Sequence, residues 1–598
     1  MTAARLERIV RYPVKGFGGQ RLDQVDLRAG RGLPFDRALA VTNGQVPVRP
    51  DGGWTRCQAF VRMTRNTELP LFRMAMEESV LTLTSPGGER LRITPDDPAP
   101  ADEVLAGWFP STSTRLVRAA DGYWDHEDAQ VSLINVETVR ALSEAASRPL
   151  DPLRFRGNLY LRGLPAWSEF DLVGRRIRIG GCELEVLRPI ERCRATSIDP
   201  VSGAVDVNVP ALLGRSFGHV HCGLYARVVK GGRIAPGDPA VALTGGGHAD
   251  PGAEGASHPA DWPRRARIVS RTRESRDVVS LWLRDPLARL RPAPLPGQHL
   301  RVHGADAEGP LWRNYTVSGV EGDLLRLSVK RVGRMSSLLH SATESVLISG
   351  PFGEMVLPPA DDRPLLLVSA GIGITPMTAM LRACVERGTT GRVTLLHAAR
   401  DGEAAALWQE AAELAGRLPN GTARLFLSRP RPGDLATPGS TTGLPGAIAG
   451  RLDAASLAPY ASAAAVFLCG PAAFMRQAKA ALTAAGTDPG AIHFELFTAP
   501  TAAPAGAAAP PAPGPFTVRF ADSGVVARWQ PDSGSLLDLA EASGLQPRAA
   551  CRSGACRTCL RPVSSGSTAP LGEPLAITPP GSVLLCSAVP TSDLTVRC

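Results

Sequence analysis

Closely spaced cysteines near the end of the 598-residue chain constrain its fold more than any other feature. Residues 551–559 read Cys-Arg-Ser-Gly-Ala-Cys-Arg-Thr-Cys, a C-x4-C-x2-C spacing, and a fourth candidate ligand follows downstream. This is the ligand spacing of a plant-type [2Fe–2S] cluster, in which one tight loop presents three thiolates. The alternative is zinc, but zinc sites usually combine two C-x2-C pairs. The predicted cluster ligands are Cys551, Cys556, Cys559 and Cys586.

Length and composition predict a protein of several domains that stays inside the cell. A chain of 598 residues is too long for one hydrophobic core, so three or more domains are expected. No run approaches the roughly 18 apolar residues of a transmembrane helix, and the N-terminus lacks the apolar core of a signal peptide. The other cysteines are scattered, unlike a secreted disulfide framework. We therefore expect a cytoplasmic protein that does not bind a membrane.

The charge distribution argues against a nucleic-acid partner. The formal net charge is +9, but it is spread along the chain without a basic block. General solubility explains this distribution better than nucleic-acid binding does. We therefore expect a small-molecule substrate.

Two segments rich in Ala, Gly and Pro divide the chain into blocks. Residues 244–263 and 499–515 lack hydrophobic periodicity and are predicted to be linkers. The blocks that remain are 1–243, 264–498 and 516–598. The predicted fold class is a multidomain protein that combines β-rich with α/β domains.

The first block contains mostly short predicted strands. Leu6–Val10, Arg175–Ile179 and Leu184–Val186 have the composition and alternation of strands, and one helix is predicted at about 136–147. We therefore expect a barrel-like, β-rich block with few helices.

Four motifs in this block occur in the order of a known family. They are Tyr-Pro-Val-Lys-Gly at 12–16, Gly-Leu-Pro-Phe-Asp-Arg at 32–37, Phe-Arg-Gly-Asn at 155–158 and Glu-Arg-Cys-Arg-Ala-Thr-Ser-Ile-Asp-Pro at 191–200. The series resembles MOSC proteins with an N-terminal MOSC β-barrel, a group that includes the mitochondrial amidoxime-reducing component and bacterial reductases of N-hydroxylated bases. The resemblance implies an N-terminal barrel at 1–120 and a MOSC domain at 121–243.

The resemblance also implies a molybdenum–molybdopterin cofactor. In that family the cysteine of the Arg-Cys pair ligates molybdenum, and Cys193 matches it. The implied pterin contacts are Lys15, Arg37, Asp128, Arg156 and Asn158. Pyridoxal phosphate binding is not expected.

Cys193 is also a plausible ligand on chemical grounds. A thiolate is a soft donor for a high-valent metal, and the flanking Arg192 and Arg194 are expected to lower the thiol pKa. The competing interpretation is a buried, inert cysteine. His219-x-His221-Cys222 has the composition of a zinc site, but the apolar run after it predicts the start of a strand.

Residues 264–360 are predicted to form a flavin-binding barrel. Val278–Leu283 and Leu324–Val329 are clear strands. Arg-x-Tyr-Thr at 313–316 and Gly-Arg-Met-Ser at 333–336 occur in an order that resembles the flavin barrel of the ferredoxin–NADP reductase superfamily. Guanidinium groups and helix N-terminal amides suit the flavin phosphates. The implied flavin contacts are Arg313, Tyr315, Thr316, Lys330, Gly333, Ser336 and Ser337. We expect FAD, with FMN as the alternative.

Residues 361–498 alternate predicted strands and helices, which is typical of a doubly wound parallel sheet. The predicted strands are Leu365–Ser369, Val393–His397, Arg424–Leu427 and Ala465–Cys469. The turn Gly-Ile-Gly-Ile-Thr-Pro at 371–376 resembles the nicotinamide-nucleotide site of the same superfamily. The implied contacts are Gly371, Gly373, Thr375, Pro376, Ser428, Arg429, Cys469, Gly470 and Pro471, with Phe497 near the flavin. The Ser-Arg pair leaves NADH and NADPH both open.

The third block resembles a β-grasp ferredoxin domain, and the order flavin, nicotinamide, ferredoxin resembles the phthalate dioxygenase reductase family. NAD(P)H gives two electrons as hydride, flavin releases them singly, and a [2Fe–2S] centre relays each one. With the MOSC block on the same chain, we expect a self-sufficient molybdenum oxidoreductase that reduces N-hydroxylated or N-oxide compounds.

Two other functions remain open from the sequence. The chain could be a reductase for a separate oxygenase or demethylase partner, with the MOSC block handling sulfur or a cofactor. The MOSC block could instead be a non-catalytic sulfur carrier with a persulfide on Cys193. Replacing Cys193 discriminates, because only the molybdenum reductase loses substrate reduction while keeping reduction of an artificial acceptor.

Overall fold

The structure is a computed structural model of the whole chain, and most residues from 4 to 598 are described. The residues outside the description are 1–3, 45–46, 50–52, 56, 78–79, 110–113, 120, 244–261, 289–291, 359–362, 437–442, 496–513, 546, 548, 550–558 and 572–577. The chain divides into two compact units, Met1–Pro263 and Arg264–Cys598.

The first unit is built mainly of strands. Its strands are β1 (Arg5–Arg11), β2 (Gln20–Leu22), β3 (Val25–Leu27), β4 (Leu39–Val41), β5 (Arg73–Glu77), β6 (Val80–Thr84), β7 (Arg90–Ile93), β8 (Leu116–Arg118), β9 (Val131–Asn135), β10 (Leu159–Arg162), β11 (Arg176–Ile179), β12 (Cys182–Glu191), β13 (His221–Lys230), β14 (Gly232–Ile234) and β15 (Ala240–Ala242). Its helices are α1 (Asp102–Trp108), α2 (Val136–Ala145) and α3 (Val209–Leu212).

A large mixed sheet organises this unit, in the strand order β15-β11-β12-β13-β9-β10-β1-β2. Strand β11 alternates exposed arginine with buried isoleucine, as the sequence pattern predicts for a sheet with one buried face. Helix α2 begins where the Asn135 side chain accepts a hydrogen bond from the Glu137 amide (3.1 Å), a regular N-cap. A second core packs the small sheet β5-β6-β7 against α1.

The second unit contains the remaining elements. Its strands are β16 (Arg264–Arg273), β17 (Val278–Arg284), β18 (His299–Asp306), β19 (Gly309–Glu321), β20 (Leu324–Lys330), β21 (Ser345–Phe352), β22 (Leu365–Ala370), β23 (Val393–Ala399), β24 (Gly421–Leu427), β25 (Ala447–Ala449), β26 (Ala465–Cys469), β27 (Ile492–Glu495), β28 (Phe516–Phe520), β29 (Val525–Trp529), β30 (Leu560–Ser565), β31 (Thr568–Pro570), β32 (Ser582–Leu584), β33 (Ala588–Pro590) and β34 (Leu594–Val596). Its helices are α4 (Arg334–Ser341), α5 (Ile374–Glu386), α6 (Trp408–Gly416), α7 (Ala454–Leu457), α8 (Ala472–Ala484) and α9 (Leu536–Ala542).

Three folds follow one another in this unit, and they confirm the predicted fold class. Strands β16-β17-β20-β19-β18-β21 close into an antiparallel barrel. Strands β25-β24-β23-β22-β26-β27 form a parallel sheet, and all residues of β22 are buried because helices cover such sheets. Strands β29-β28-β34-β30-β32 form the last sheet, against which α9 packs.

No helix within the described parts of the chain is both long and apolar enough to cross a bilayer.

Candidate functional site

The carboxyl edge of the parallel sheet and the closed barrel enclose a cavity of about 430 Å³. Its wall combines residues from β19, β20, the start of α4 and the turns after β22 and β26. The lining residues are Arg313, Asn314, Tyr315, Thr316, Ser328, Lys330, Val332, Gly333, Arg334, Met335, Ser336, Ala370, Gly371, Ile372, Gly470 and Pro471. The structure therefore brings together most of the residues predicted from the flavin and nicotinamide motifs.

Buried polar atoms in this wall lack partners within the described chain. The Thr316 hydroxyl and the Asn314 side-chain oxygen are both buried without a hydrogen bond to any described residue. Such atoms are costly unless a ligand or water pairs with them. At Gly333 a Cβ would meet no atom within 4 Å, so the wall is open there. The cavity therefore fits a ligand with polar ring edges, such as a flavin.

Charged residues at the barrel side are only partly available to a ligand. Arg334 is held by Asp306, and Lys330 lies 3.5 Å from Asp277. Arg313 makes a hydrogen bond to the adjacent Trp312 carbonyl (2.7 Å), and burial lowers its pKa. Arg313 is thus the cation best placed for a ligand phosphate.

The N-terminus of helix α4 is capped by a serine in the first turn of the helix itself. The Ser336 hydroxyl accepts hydrogen bonds from the Val332 and Gly333 amides, both at 2.9 Å. Ser337 is exposed and lies outside the lining of the cavity. Ser336 therefore shapes the predicted phosphate turn, while Ser337 is not brought to the cavity.

The nucleotide turn divides into lining and supporting residues. Gly371 lines the cavity, whereas Thr375 and Pro376 are buried inside the first turn of α5. At Gly373 a Cβ would lie 2.2 Å from the carbonyl oxygen of Cys469, because the turn packs directly on the end of β26. Gly470 then follows at the cavity wall. Gly373 and Cys469 hold the turn in place from behind.

The Ser428–Arg429 pair lies apart from the cavity lining. Both residues are exposed just beyond the end of β24, and their amides bond to the carbonyls of Ala399 and Arg400. Phe497 lies outside the described residues. The position of the pair beside the sheet edge suits the distal end of a dinucleotide.

Two of the predicted cluster ligands are adjacent. The sulfur atoms of Cys559 and Cys586 lie 3.2 Å apart, well beyond the disulfide length of about 2.05 Å. Cys559 is the first described residue after the motif loop and Cys586 comes from a turn near β32. Cys551 and Cys556 lie outside the described residues. Two cysteine sulfur atoms in contact, without a disulfide between them, fit the donor set that a [2Fe–2S] cluster requires.

The first unit gathers its predicted cationic residues around one tyrosine. The Arg37 and Arg156 guanidinium groups lie 4.9 and 4.3 Å from the centre of the Tyr12 ring. Arg37 also donates to the Arg156 carbonyl (3.0 Å), and Lys15 donates to Asp125 (2.7 Å). This arrangement, the Tyr12 cluster, joins three cations that are distant in sequence.

The Tyr12 cluster contains two residues with a strained backbone and one buried hydrogen-bond donor that has no partner among the described residues. Arg37 and Arg156 both have φ 53°, a left-handed conformation that is uncommon for residues with a side chain. One terminal nitrogen of Arg156 is buried without a hydrogen bond to any described residue. Lys15 pairs with Asp125, and the pKa of this carboxyl falls well below its usual range. Arg37 also forms an ion pair with Asp36, so Arg156 is the cation of the cluster best placed for an anionic ligand, such as a pterin phosphate.

Cys193 adjoins this cluster, but its electrostatics differ from the expectation. Its side chain is exposed, yet the protein packed around it raises the thiol pKa, and Asp125 adds to the rise. Arg192 opposes the rise in the pKa, and its guanidinium donates to the carbonyls of Cys222 (2.6 Å) and Phe155 (3.0 Å). The expected lowering of the thiol pKa is therefore wrong for the protein without ligands.

The other two predicted pterin residues are engaged by the protein. Asn158 accepts from the Ser132 hydroxyl (2.8 Å) and donates to the Val10 carbonyl (3.2 Å), so it ties strands together. Asp128 forms a two-point ion pair with Arg188. Both therefore have a structural role within the protein.

Sequence reasoning missed two acidic residues of these sites. Asp125 pairs with Lys15 across 110 positions, and Glu495 lies 2.5 Å from His299 although 196 positions separate them. No local sequence pattern predicts contacts between residues that lie so far apart along the chain. The only signal was that Asp125 and Glu495 each lie within a few residues of a predicted site residue.

Four domain families match the chain in the predicted order. They are the MOSC N-terminal beta barrel domain at residues 3–115, the MOSC domain at 120–241, the oxidoreductase NAD-binding domain at 367–480 and the 2Fe-2S iron-sulfur cluster binding domain at 518–591.

Curated relatives match only part of the chain. The flavohemoprotein of Chromobacterium violaceum is 36% identical over 251 residues, which is 39% of this chain and 60% of that protein. The flavohemoprotein of Bacillus subtilis is 32% identical over 241 residues, 38% of this chain and 58% of that protein. The chain thus spans about 60% of the length of these relatives.

Solved structures show weak overall similarity. Phthalate dioxygenase reductase is 23% identical, covering 56% of this chain and 98% of that chain with a TM-score of 0.34. An intact type IV self-sufficient cytochrome P450 monooxygenase is 21% identical, covering 64% of this chain and 48% of that chain with a TM-score of 0.43. The domain matches show that the chain contains an N-terminal MOSC β-barrel domain, a MOSC domain, an oxidoreductase NAD-binding domain and a 2Fe-2S iron-sulfur cluster binding domain, in that order.

Proposed function

We propose that this protein is a self-sufficient NAD(P)H-dependent molybdenum oxidoreductase that reduces N-hydroxylated or N-oxide compounds. For an N-hydroxylated amine the balanced reaction is R–NHOH + NAD(P)H + H⁺ → R–NH₂ + NAD(P)⁺ + H₂O. The nicotinamide, FAD and [2Fe–2S] sites would lie in residues 264–598 and the substrate site in residues 1–243. FMN remains the alternative flavin.

One observation carries the proposal: an exposed thiol, Cys193, interacts electrostatically with Asp125 of the Tyr12 cluster, on the same chain as an oxidoreductase NAD-binding domain. Cys193 is exposed, and Asp125, which raises its pKa, is the carboxylate that pairs with Lys15. The Tyr12 cluster also holds a buried Arg156 nitrogen without a described partner. A soft thiolate beside a cationic pocket suits a metal carried by an anionic pterin.

In this proposal the protein binds and orients the cofactors and the substrate, and the bound cofactors supply the redox chemistry. When bound, molybdopterin supplies oxygen-atom removal, and flavin and cluster convert hydride into single electrons. Cys193 would ligate the metal, and Arg156, Arg37 and Lys15 would hold the pterin phosphate. Metal ligation requires the thiolate, so loading should release the Cys193 proton, which the protein packed around the thiol now favours.

In the second unit, Thr316 and Asn314 would pair with the flavin ring edges, and Arg313 with its phosphate. The Gly371 turn and Gly470 would receive the nicotinamide nucleotide. Ser428 and Arg429 would lie at its distal end, where a 2′-phosphate distinguishes NADPH from NADH. A wall built from both domains keeps the two ligands in one cavity.

Metal analysis tests the proposal first. Protein from a molybdopterin-competent host should contain about one Mo and two Fe per chain. It should oxidise NAD(P)H with an aromatic amidoxime, and Cys193→Ser should abolish that reaction while ferricyanide reduction stays at the wild-type rate. Ser is the matched replacement because it keeps the size and loses only the soft donor.

The competing functions predict different outcomes. Iron without molybdenum, with amidoxime turnover absent, would overturn the proposal and favour a reductase for a separate oxygenase or demethylase. Sulfane sulfur on Cys193 in place of molybdenum would favour the sulfur-carrier function.

A further inference from the structure

A carboxylate of the parallel-sheet domain is held by arginines from two different elements of the second unit. Glu410, on α6, accepts two hydrogen bonds from the Arg326 guanidinium of barrel strand β20 (2.7 and 2.8 Å). The same carboxylate accepts a third hydrogen bond from Arg382 of α5 (2.5 Å). Burial would raise the pKa of Glu410, but the two arginines lower it, so the group is ionised at neutral pH. We call these three residues the Glu410 clamp.

The barrel end of the clamp is fixed at several points. Arg326 is 6% exposed, and its guanidinium donates to the Ser318 hydroxyl (3.1 Å) and to the Ser318 carbonyl (3.0 Å). The same guanidinium lies 5.5 Å from the centre of the Trp282 ring. A planar fork held by this many contacts has little freedom to follow a moving partner. A displacement of the Glu410 carboxylate must therefore shift the barrel strand or break the ion pair.

Strand β20 connects the clamp to the cavity wall on the barrel side. Arg326, Ser328 and Lys330 alternate with core residues along β20, so the three share its outer face. Ser328 and Lys330 line the cavity. The hydroxyl oxygens of Ser318 and Ser328 lie 2.9 Å apart, so hydrogen bonds run without a break from the clamp through Ser318 to the cavity wall.

Helix α5 connects the clamp to the cavity wall on the sheet side. It carries Arg382 and begins directly after the turn whose Gly371 and Ile372 line the cavity. Helix α6, which carries Glu410, shares one hydrophobic core with α5. The clamp therefore joins an element that supplies lining residues from the barrel to an element that follows the lining residues of the sheet domain.

Hydride transfer depends on the spacing of two bound rings. The step is NAD(P)H + FAD + H⁺ → NAD(P)⁺ + FADH₂, and its reacting atoms must approach to about 3–3.5 Å. In the proposed function barrel residues hold the flavin, and turns of the sheet domain receive the nicotinamide nucleotide. The distance between the rings is therefore set by how the two domains are held together.

We propose that Glu410 is a positioning residue for the reductase reaction: its clamp on Arg326 and Arg382 sets the separation of the barrel and the sheet domain that brings the nicotinamide against the flavin. None of these three residues belongs to the lining of the cavity, so the clamp acts through β20 and α5. The inference rests on flavin and NAD(P)H binding in the cavity, as proposed above, and does not depend on molybdenum.

The test separates NAD(P)H binding from hydride transfer in the full-length holoprotein. Glu410→Gln keeps the size of the side chain and removes its charge, and Glu410→Asp restores the charge on a shorter side chain. A triple variant, Arg326→Met with Arg382→Met and Glu410→Leu, removes all three charges together, so no buried charge is left without a counter-charge. The matched control is Glu413→Gln on the exposed face of the same helix, where the carboxylate accepts from Gln409 (2.8 Å).

Anaerobic stopped flow measures flavin reduction over a series of NAD(P)H concentrations. We expect the limiting rate to fall roughly 10- to 100-fold in Glu410→Gln and in the triple variant, because a misplacement of about 1 Å costs that much. The dissociation constant of NAD(P)H should change far less, because the turns that would bind the nucleotide are unaltered. Glu410→Asp should give an intermediate rate, and Glu413→Gln should match the wild type.

Absorbance gives a readout that does not depend on turnover. Reduced flavin in contact with NAD(P)⁺ produces a long-wavelength charge-transfer band whose intensity depends on the contact between the two rings. At saturating NAD(P)⁺ this band should weaken in Glu410→Gln and in the triple variant, while the flavin content of the triple variant stays at the wild-type level.

Two outcomes would overturn the positioning role. One is a wild-type limiting rate and charge-transfer band in both Glu410→Gln and the triple variant. The other is weaker NAD(P)H binding with an unchanged limiting rate, which a merely structural contact would give. Flavin content separates the two proposals: wild-type protein without bound flavin contradicts the proposed function, whereas flavin-loaded variants with the wild-type rate contradict only the clamp.

Discussion

At the scale of single residues, Glu169 of the first unit combines deep burial with complete hydrogen bonding. It is 2% exposed and accepts hydrogen bonds from Asn135 (2.9 Å) and from the Thr138 hydroxyl (2.8 Å). Burial is the main cause that raises its pKa, to about 7, from an ordinary 4.5. Helix α2, which carries Thr138, is therefore linked to the protonation of one carboxyl.

This linkage predicts that the first unit loses stability as pH rises. Between about pH 4.5 and 7 the folded state keeps a proton that the unfolded chain has lost, so the free energy of unfolding falls with pH and levels off above about 7. The total loss is on the order of 3 kcal/mol. Hydrogen exchange of Val136–Ala145, corrected for intrinsic rates, measures it.

Glu169→Gln should remove this pH dependence because an amide stays neutral and can keep the hydrogen bonds. Glu137→Gln is the matched control: its partner Arg140 is a surface residue on the same helix, so the slope should persist. A flat wild-type profile would contradict the prediction.

At the scale of elements, the turn between β22 and α5 is fixed by contact with the neighbouring strand. The carbonyl of Cys469 occupies the space that a Cβ at Gly373 would need, at 2.2 Å. The turn and the end of β26 therefore form one unit, and both contribute lining residues to the cavity.

Gly373→Ala should consequently disturb the nucleotide site. The turn must shift away from β26, which costs about 1–3 kcal/mol of stability and displaces Gly371 from the cavity wall. We expect NAD(P)H to bind roughly tenfold more weakly for each ~1.4 kcal/mol of binding free energy that this displacement costs. Titration of the flavin-loaded protein with NAD(P)H measures the affinity. Gly416→Ala is the control because no atom lies within 4 Å of its Cβ. Equal affinity of both variants would contradict the prediction.

The sequence patterns predicted the bounds of strands more accurately than they predicted the electrostatics of the functional sites. The run Ala465–Cys469 was predicted as a strand with its observed bounds, and Leu365–Ser369 lacked only Ala370, because buried parallel strands are continuous apolar runs. Motifs also indicated which residues line the cavity. The direction of the Cys193 pKa shift could not be predicted, since it depends mainly on how much protein packs around the thiol, and that is set by tertiary contacts.

At the scale of the whole molecule, one aromatic side chain connects two domains of the second unit. Phe494 on β27 packs against the core of the parallel-sheet domain and also against the core of the [2Fe–2S] domain. The Lys479 ammonium lies 5.1 Å from its ring centre. Its neighbour Glu495 pairs across the sheet with Cys469, and the residue after Cys469 lines the cavity, so the domain contact and the cavity are close together.

Phe494→Ala should therefore uncouple the two domains. Phe494 is half-buried and packs against both cores, so its loss should weaken both, and amide exchange should rise in Ile492–Glu495 and in Ser582–Leu584 together. Phe494→Leu is the control because it keeps an apolar side chain. Faster exchange in only one of the two strands would contradict a shared core.

The strained backbone at the arginines of the Tyr12 cluster affects how long the protein survives in the cell. Arg37 already pairs with Asp36, so a bound anion should stabilise the folded state mainly at Arg156, which has a buried nitrogen without a partner among the described residues. A ligand that binds only the folded state raises its stability by mass action, about 2.7 kcal/mol at a hundredfold excess over the dissociation constant. Unloaded chains should then be the first that proteases remove, and the amount of protein would follow the supply of the ligand rather than transcription alone.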